Sequence, residues 1–185
     1  VAVLITTLGT LSMVTGVFLA IGQWDIKRLL AYHSISQMGY VVVAAGIGLI
    51  LISRGVKHDI AVLAITGGIF HLINHAAFKG LLFLNSGAIE YTTGTRDLNK
   101  MGGLARSMPA TYATSFAASL SISGIPPFNG FFSKLIIIIA AILAKFYLLA
   151  ALAVIVSIVT LASFLKFQRY AFFNNKKDET EDKPL

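Results

Sequence analysis

The stretch SISGIPPFNGFFSK, residues 121 to 134, lies in the middle of an apolar run from Ser107 to Ala144 whose only charged residue is Lys134. A bilayer-crossing helix needs about 20 mostly apolar residues. This run is nearly twice that length, too long for one straight span. Pro126 and Pro127 remove two backbone donors, and a proline disfavours helix at the residue before it. Gly124 and Gly130 loosen the chain on either side. The stretch therefore predicts a discontinuous helix, two halves around an unwound segment near Gly124–Pro127. A kink, or a loop between two shorter helices, is the simpler alternative. Freed backbone groups at membrane depth are tolerated only inside protein or beside a wet cavity.

Working outward, the rest of the chain reads the same way. Of its 185 residues 56% are hydrophobic and 12% charged, with a mean hydropathy of +0.80. A soluble domain carries roughly 25% charged residues, so the fold class is an all-α polytopic membrane protein. Reading between charges gives four further spans: Val1 to Trp24, Leu29 to Ser53, Ile60 to about Ile89, and Phe146 to Leu165. Residues 1–173 thus form one transmembrane unit of about five helices, the fourth broken. Residues 174–185 form a charged tail with a disordered composition. The chain begins at Val1 rather than Met, which reads as a processed or partial chain or an unusual start.

The net charge is +7. A nucleic-acid partner would need a solvated basic face. Here the charges fill short gaps between apolar runs, so the lipid bilayer accounts for them and no nucleic acid is expected. Lys27, Arg28, Arg96, Lys100, Arg106, Lys166, Arg169, Lys176, Lys177 and Lys183 fall on one side; Arg54, Lys57 and Lys145 fall on the other. Positive residues stay in the cytoplasm. The chain is expected in the cell (or inner) membrane with its N-terminus outside and its tail cytoplasmic. There are no cysteines, which excludes thiolate-bound iron–sulfur clusters, thiol catalysis and disulfides.

The third span carries HLINHAAFKG, residues 71 to 80. Steps of four residues keep His71, His75 and Lys79 on one helix face over about 12 Å. Ionisable groups inside a span are costly and usually face the protein interior or a water-filled path. Histidine takes up and releases a proton near neutral pH unaided, and a lysine held out of water does both more readily than one in water. Three such groups on one stripe read as a proton relay. Taken singly, each histidine is more simply a hydrogen-bonded core residue, and a lysine near a span end a snorkelling one. Zinc at the histidine pair lacks a further ligand and a nearby carboxylate base. Haem b, held between His33 of the second span and a histidine of the third, would have a cationic neighbour in Lys79. Neither metal nor cofactor is called for. Lys134 follows the helix break, where an unwound backbone suits ion passage. His33 and Glu90 are the accessory candidates, although Glu90 also suits a solvated pair with Arg96.

Four motifs in order, DIKRLLAYHSISQMGY (25–40), HLINHAAFKGLLFLNSGAI (71–89), RDLNKMGGL (96–104) and SGIPPFNGFFSK (123–134), resemble the antiporter-like membrane subunits. That family includes the proton-pumping subunits of respiratory complex I, the large subunits of multisubunit Na⁺/H⁺ antiporters, and membrane-bound hydrogenase subunits. The resemblance covers most of residues 1 to 165. It implies the second of two inverted five-helix repeats, with Lys79 as the central relay lysine, His71 and His75 beside it, and Lys134 as the ionisable residue of the broken helix. His33 falls where many relatives have a small hydroxyl residue. The first repeat is missing: a partner subunit supplies it if these residues are the whole chain, or it precedes Val1 if they are a fragment.

The resemblance implies a proton- or Na⁺/H⁺-translocating membrane subunit of a larger complex, coupled to redox or antiport partners. Any redox chemistry lies in other subunits, so an enzymatic role comes only through an ion-pumping oxidoreductase of the NADH:quinone or hydrogenase type. Two alternatives stand beside it, a non-transporting structural subunit and a haem b electron carrier.

Overall fold

Every regular element among the described residues is a helix. The computed structural model describes residues 1–174. The expected tail beyond Asn174, with Lys176, Lys177 and Lys183, lies outside the described residues. The helices run in order as α1 (Ala2–Ile21), α2 (Ile26–Ser53), α3 (His58–Thr93), a short α4 (Leu104–Ser107), α5 (Pro109–Ser123), α6 (Asn129–Leu143) and α7 (Tyr147–Gln168). Helices α1, α2, α3 and α7 are each long and apolar enough to cross a membrane. The shorter α5 and α6 share the remaining crossing, as the prolines imply.

The break has a clear local cause. Gly124 takes φ +78°, a left-handed conformation that favours glycine. Its N–H bonds the Ser121 carbonyl at 3.0 Å, and the Ile125 N–H bonds the Leu120 carbonyl at 3.1 Å. That paired closure is a Schellman motif. The two halves then overlap: a Cβ on Gly130 would lie 2.7 Å from the Ser121 carbonyl carbon, so only glycine fits where α6 begins.

Helix α3 runs past the expected span at both ends. Asp59 sits in its first turn, where a negative charge complements the helix dipole. At the other end Gly94, at φ +70°, closes the helix with its N–H on the Glu90 carbonyl. Its 36 residues reach about 54 Å, well beyond the thickness of a hydrocarbon core, about 30 Å.

Helices α1 and α2 cross closely through small residues. A Cβ on Gly16 would lie 2.6 Å from the Ser36 nitrogen, and one on Gly39 2.6 Å from Met13 Cα. Small residues let membrane helices bring their backbones together.

The charged loops gather at one end. Asp25 caps α2 by accepting from the Arg28 N–H. The Ile26 N–H bonds the Arg96 carbonyl and the Leu98 N–H bonds the Trp24 carbonyl, at 3.0 and 2.9 Å. Leu98, Met101 and Leu104 of the RDLNKMGGL motif pack into a cluster with Leu29, Phe78 and Phe164. A second apolar cluster at the opposite end joins Val43, Ile47, Ala64 and Ala140. His33 and Gln37 of α2, His71 and Asn74 of α3, and Ser133 and Lys134 of α6, all buried, lie between these two clusters along their helices.

Candidate functional site

Residue 71 falls where α3 passes between α2 and α6, and each of its ring nitrogens meets a polar side chain there. The His71 imidazole is fully buried. Its Nδ1 lies 2.9 Å from Ser133 Oγ on α6, and its Nε2 lies 3.2 Å from Gln37 Oε1 on α2. Ser133 Oγ also lies 3.1 Å from the Gly130 carbonyl. One turn along α3, Asn74 holds the start of α6. The Asn129 Nδ2 donates to Asn74 Oδ1 at 2.9 Å, and the Asn74 Nδ2 donates to the Asn129 carbonyl at 3.2 Å. The Ser121 hydroxyl of α5 donates to Asn129 Oδ1 at 2.5 Å. The histidine helix and both halves of the broken helix therefore meet at one knot.

Lys134 is 3% exposed and Lys79 is 4% exposed. Lys134 Nζ donates to the Ile122 carbonyl at 2.8 Å. In an unbroken helix that carbonyl would bond the N–H of residue 126, which is proline and has none. The break thus creates the acceptor that holds the lysine. Lys134 Nζ also lies 4.8 Å from the centre of the Tyr40 ring. Tyr40 is buried, its hydroxyl donating to the Ala153 carbonyl at 2.5 Å and lying 2.9 Å from Ser157 Oγ. Lys79 Nζ donates to the Leu30 carbonyl of α2 and lies 5.5 Å from the centre of the Phe83 ring. Each lysine thus rests on one main-chain carbonyl and one aromatic face. Among the described residues, neither forms a salt bridge with a carboxylate.

The expected stripe is only partly a stripe of contacts. His71 and Lys79 are buried, but His75 is half-buried. Its ring packs edge-on against Phe78 at 5.5 Å, and its Nε2 has no hydrogen-bond partner. His33 is fully buried, with Nε2 2.8 Å from Ser163 Oγ on α7 and its ring 4.7 Å from Phe164. Its Nε2 partner is thus on α7, not a histidine of α3. Glu90 pairs with Lys27 at 2.5 Å and with Arg96 at 3.2 Å, about 16 Å along α3 from Lys79 by helix rise. Among the described residues, no group of three or more His, Cys, Asp or Glu side chains is placed to hold a metal ion.

Gln37, Tyr40, Ser133 and Asn129 were not singled out from the sequence. The signal for α2 was there: His33, Gln37 and Tyr40 follow at four and then three residues, one polar face through an apolar span. A cavity of about 210 Å³ opens beside Lys134, lined by Ser123, Gly124, Phe131, Leu135 and Ser157 among others. The unwound segment next to it leaves Pro126, Pro127 and Asn129 exposed.

Residues 1–160 match the family model described as NADH:quinone oxidoreductase/Mrp antiporter, transmembrane. A Na⁺/H⁺ antiporter subunit from Alkalihalophilus pseudofirmus is 42% identical over 178 residues, covering 96% of this chain and 34% of that protein. Among solved structures, the Mrp complex from Dietzia sp. DQ12-45-1b aligns with TM-score 0.84 and 35% identity, over 95% of this chain and 31% of that one. The membrane-bound sulfane sulfur reductase, an archaeal respiratory membrane complex, aligns with TM-score 0.84 and 36% identity, over 98% of this chain and 28% of that one. The chain spans 34% of the length of one curated relative it matches and 16% and 23% of others.

Proposed function

Since the chain belongs to the NADH:quinone oxidoreductase/Mrp antiporter transmembrane family, we propose that it forms a proton- or Na⁺/H⁺-translocating half-channel in a membrane complex. Its working groups are His71, His75, Lys79 and Lys134. One observation carries this reading: two lysines are buried to within a few per cent with, among the described residues, no carboxylate paired to either. An ammonium at membrane depth is expensive and is kept where ions move. A carboxylate partner would hold the charge in place. A carbonyl and a ring face stabilise it more weakly, so the proton can move on. His71 bridges α2 and α6, and Lys134 follows Ser133 directly, so a proton released at Lys79 reaches Lys134 by way of the histidines and intervening water.

The partner reading has its own support. Unwound backbone at membrane depth needs protein or a wet cavity around it, and residues 126, 127 and 129 stand exposed at the break. Other membrane subunits, or a first repeat supplied by a partner or by preceding chain, cover this site. The end of the bundle carrying Lys27, Arg28, Arg96, Arg106 and Lys166 faces the cytoplasm, and the N-terminus faces outside. Residues 1–173 act as one five-helix unit.

Ion uptake by native membrane vesicles carrying Lys79→Ala tests the reading, with assembly of the complex checked on native gels. Transport falls sharply while assembly persists. Wild-type transport in an assembled complex would make the unit a structural filler of the membrane arm.

A further inference from the structure

His71 differs from an ordinary buried histidine in the nature of its two partners. A neutral imidazole has one N–H and one lone pair. A structural histidine is usually fixed in one tautomer by a carbonyl or carboxylate on one nitrogen. Here the partners are an amide, Gln37, and a hydroxyl, Ser133. Both can donate and both can accept.

With Gln37 Oε1 on the ring, Nε2 carries the hydrogen and Ser133 donates to Nδ1. Turn the amide over and its NH₂ donates to Nε2. Nδ1 then carries the hydrogen and donates to Ser133 Oγ, which gives its own hydrogen to the Gly130 carbonyl 3.1 Å away. Every ring nitrogen is satisfied in both arrangements. A second observation shows that nothing holds the amide in one of them. Gln37 is fully buried, yet its Nε2 has no hydrogen-bond partner. One turn back on the same face, His33 is fully buried and its Nδ1 is likewise unpartnered. Buried polar atoms are otherwise almost always paired, with protein or with ordered water.

We propose that the Gln37 amide is a positioning switch that lets His71 adopt either tautomer, so that a proton enters at one ring nitrogen and leaves from the other. The inference rests on the relay reading above. In the Nδ1–H tautomer the lone pair on Nε2 faces α2. A proton arriving there forms an N–H bond and gives the imidazolium. The Nδ1–H bond then breaks toward α6: Ser133 Oγ takes that proton as its own passes to a base beyond it, for which the neutral amine of Lys134 is the candidate. The ring is left as the Nε2–H tautomer, and the Gln37 amide turns its oxygen to meet it. One proton enters and one leaves. The titratable groups around this step are His33 and Tyr40 on α2, His75 and Lys79 on α3, and Lys134 on α6. The hydrogen-bonding groups from α5 and α7 are hydroxyls and carbonyls.

The test uses the full-length protein in its complex in native membranes, labelled with ¹⁵N-histidine. Subtracting the His71→Ala spectrum identifies the His71 signals. Wild-type protein is expected to show both neutral tautomers, each above about a tenth of the total. Gln37→Met, similar in length but without donor or acceptor, leaves one tautomer and lowers ion uptake at least tenfold. A single His71 tautomer in transporting wild-type protein overturns the proposal. So does Gln37→Met that transports normally where Lys79→Ala does not. Normal transport by Lys79→Ala instead overturns the relay reading, and the tautomer spectrum still decides on Gln37. The wild-type spectrum needs no variant, so a Gln37→Met protein that fails to assemble leaves the test standing.

Discussion

The ammonium of Lys134 lies over the ring of Tyr40, 4.8 Å from its centre. The two residues come from helices 94 positions apart in sequence, and their meeting has a cause. The break after Ser123 exposes the Ile122 carbonyl, that carbonyl draws the amine back across the gap, and Tyr40 forms the floor on which it lands. A cation over a desolvated ring gains about 2 kcal/mol, roughly thirtyfold in occupancy. Tyr40→Leu removes the ring and is expected to lower ion uptake about tenfold. Tyr40→Phe keeps the ring and loses only the hydroxyl bonds to Ala153 and Ser157, so it keeps most of the transport. Vesicle uptake assays on the two variants separate ring from hydroxyl. Equal loss in both would assign Tyr40 to packing α2 against α7.

Helices α5 and α6 overlap through one close backbone contact. Gly130 presses against the Ser121 carbonyl, whereas a Cβ on Gly87 of α3 meets no atom within 4 Å. Overpacking of this kind costs typically 1–3 kcal/mol, and here it would also push apart the helix halves that hold Lys134. Gly130→Ala should lower the unfolding temperature of the purified protein and reduce transport. Gly87→Ala should leave the isolated fold unchanged. A Gly130→Ala protein with wild-type melting and uptake would mean that the halves separate freely.

The broken helix and the buried lysines were legible because their signals are local. Two prolines between two glycines, or three ionisable residues at steps of four, can be read without knowing what packs against them. The helix ends were less so: α3 runs on to Thr93 because Gly94 closes it, not because apolar residues continue. Gln37 and Ser133 were missed because each acquires its role only when α2 and α6 close on His71. Their separations from it, 34 and 62 positions, leave no mark in any spacing. His75 shares a face of α3 with His71 and Lys79 by its spacing, yet it is half-buried with one nitrogen unpartnered, because helical spacing fixes a residue's direction and not what covers it.

The reciprocal bonds between Asn74 and Asn129 tie α3 to the start of α6. Removing one partner leaves the other's amide to find new bonds, a loss of about 1–3 kcal/mol if it stays out of water. Asn129 itself is exposed, so the loss should fall at the lower end. Asn74→Ala and Asn129→Ala should each destabilise the protein, and the double variant should cost less than their sum by roughly 0.5 kcal/mol or more. Denaturant unfolding of the four proteins measures that coupling. Strict additivity would mean that the pair only fills space.

Glu90 provides the sharpest division between a relay and a surface ion pair. Its carboxylate is 2.5 Å from the Lys27 ammonium and 3.2 Å from the Arg96 guanidinium, and its side chain is 32% exposed. Lys27 opens α2, Arg96 follows α3, and Asp25 lies 3.9 Å from the same guanidinium. The cluster therefore fastens two loops at the charged end of the bundle. Exposed pairs contribute about 0–1 kcal/mol, and the Ile26–Arg96 and Leu98–Trp24 backbone bonds already join these loops. Between Glu90 and Lys79 the inward face of α3 presents Leu82 and Ile89 of the apolar cluster at this end together with the buried Asn85 and Ser86; Asn85 bonds Thr114 and Ser86 bonds the Phe83 carbonyl, and among the described residues neither bond reaches Lys79 or Glu90. Glu90→Gln is accordingly expected to leave ion uptake within about twofold of wild type and to lower stability by less than about 1 kcal/mol. Collapse of uptake in an assembled Glu90→Gln complex would instead extend the conducting path through that cluster to this end of the bundle.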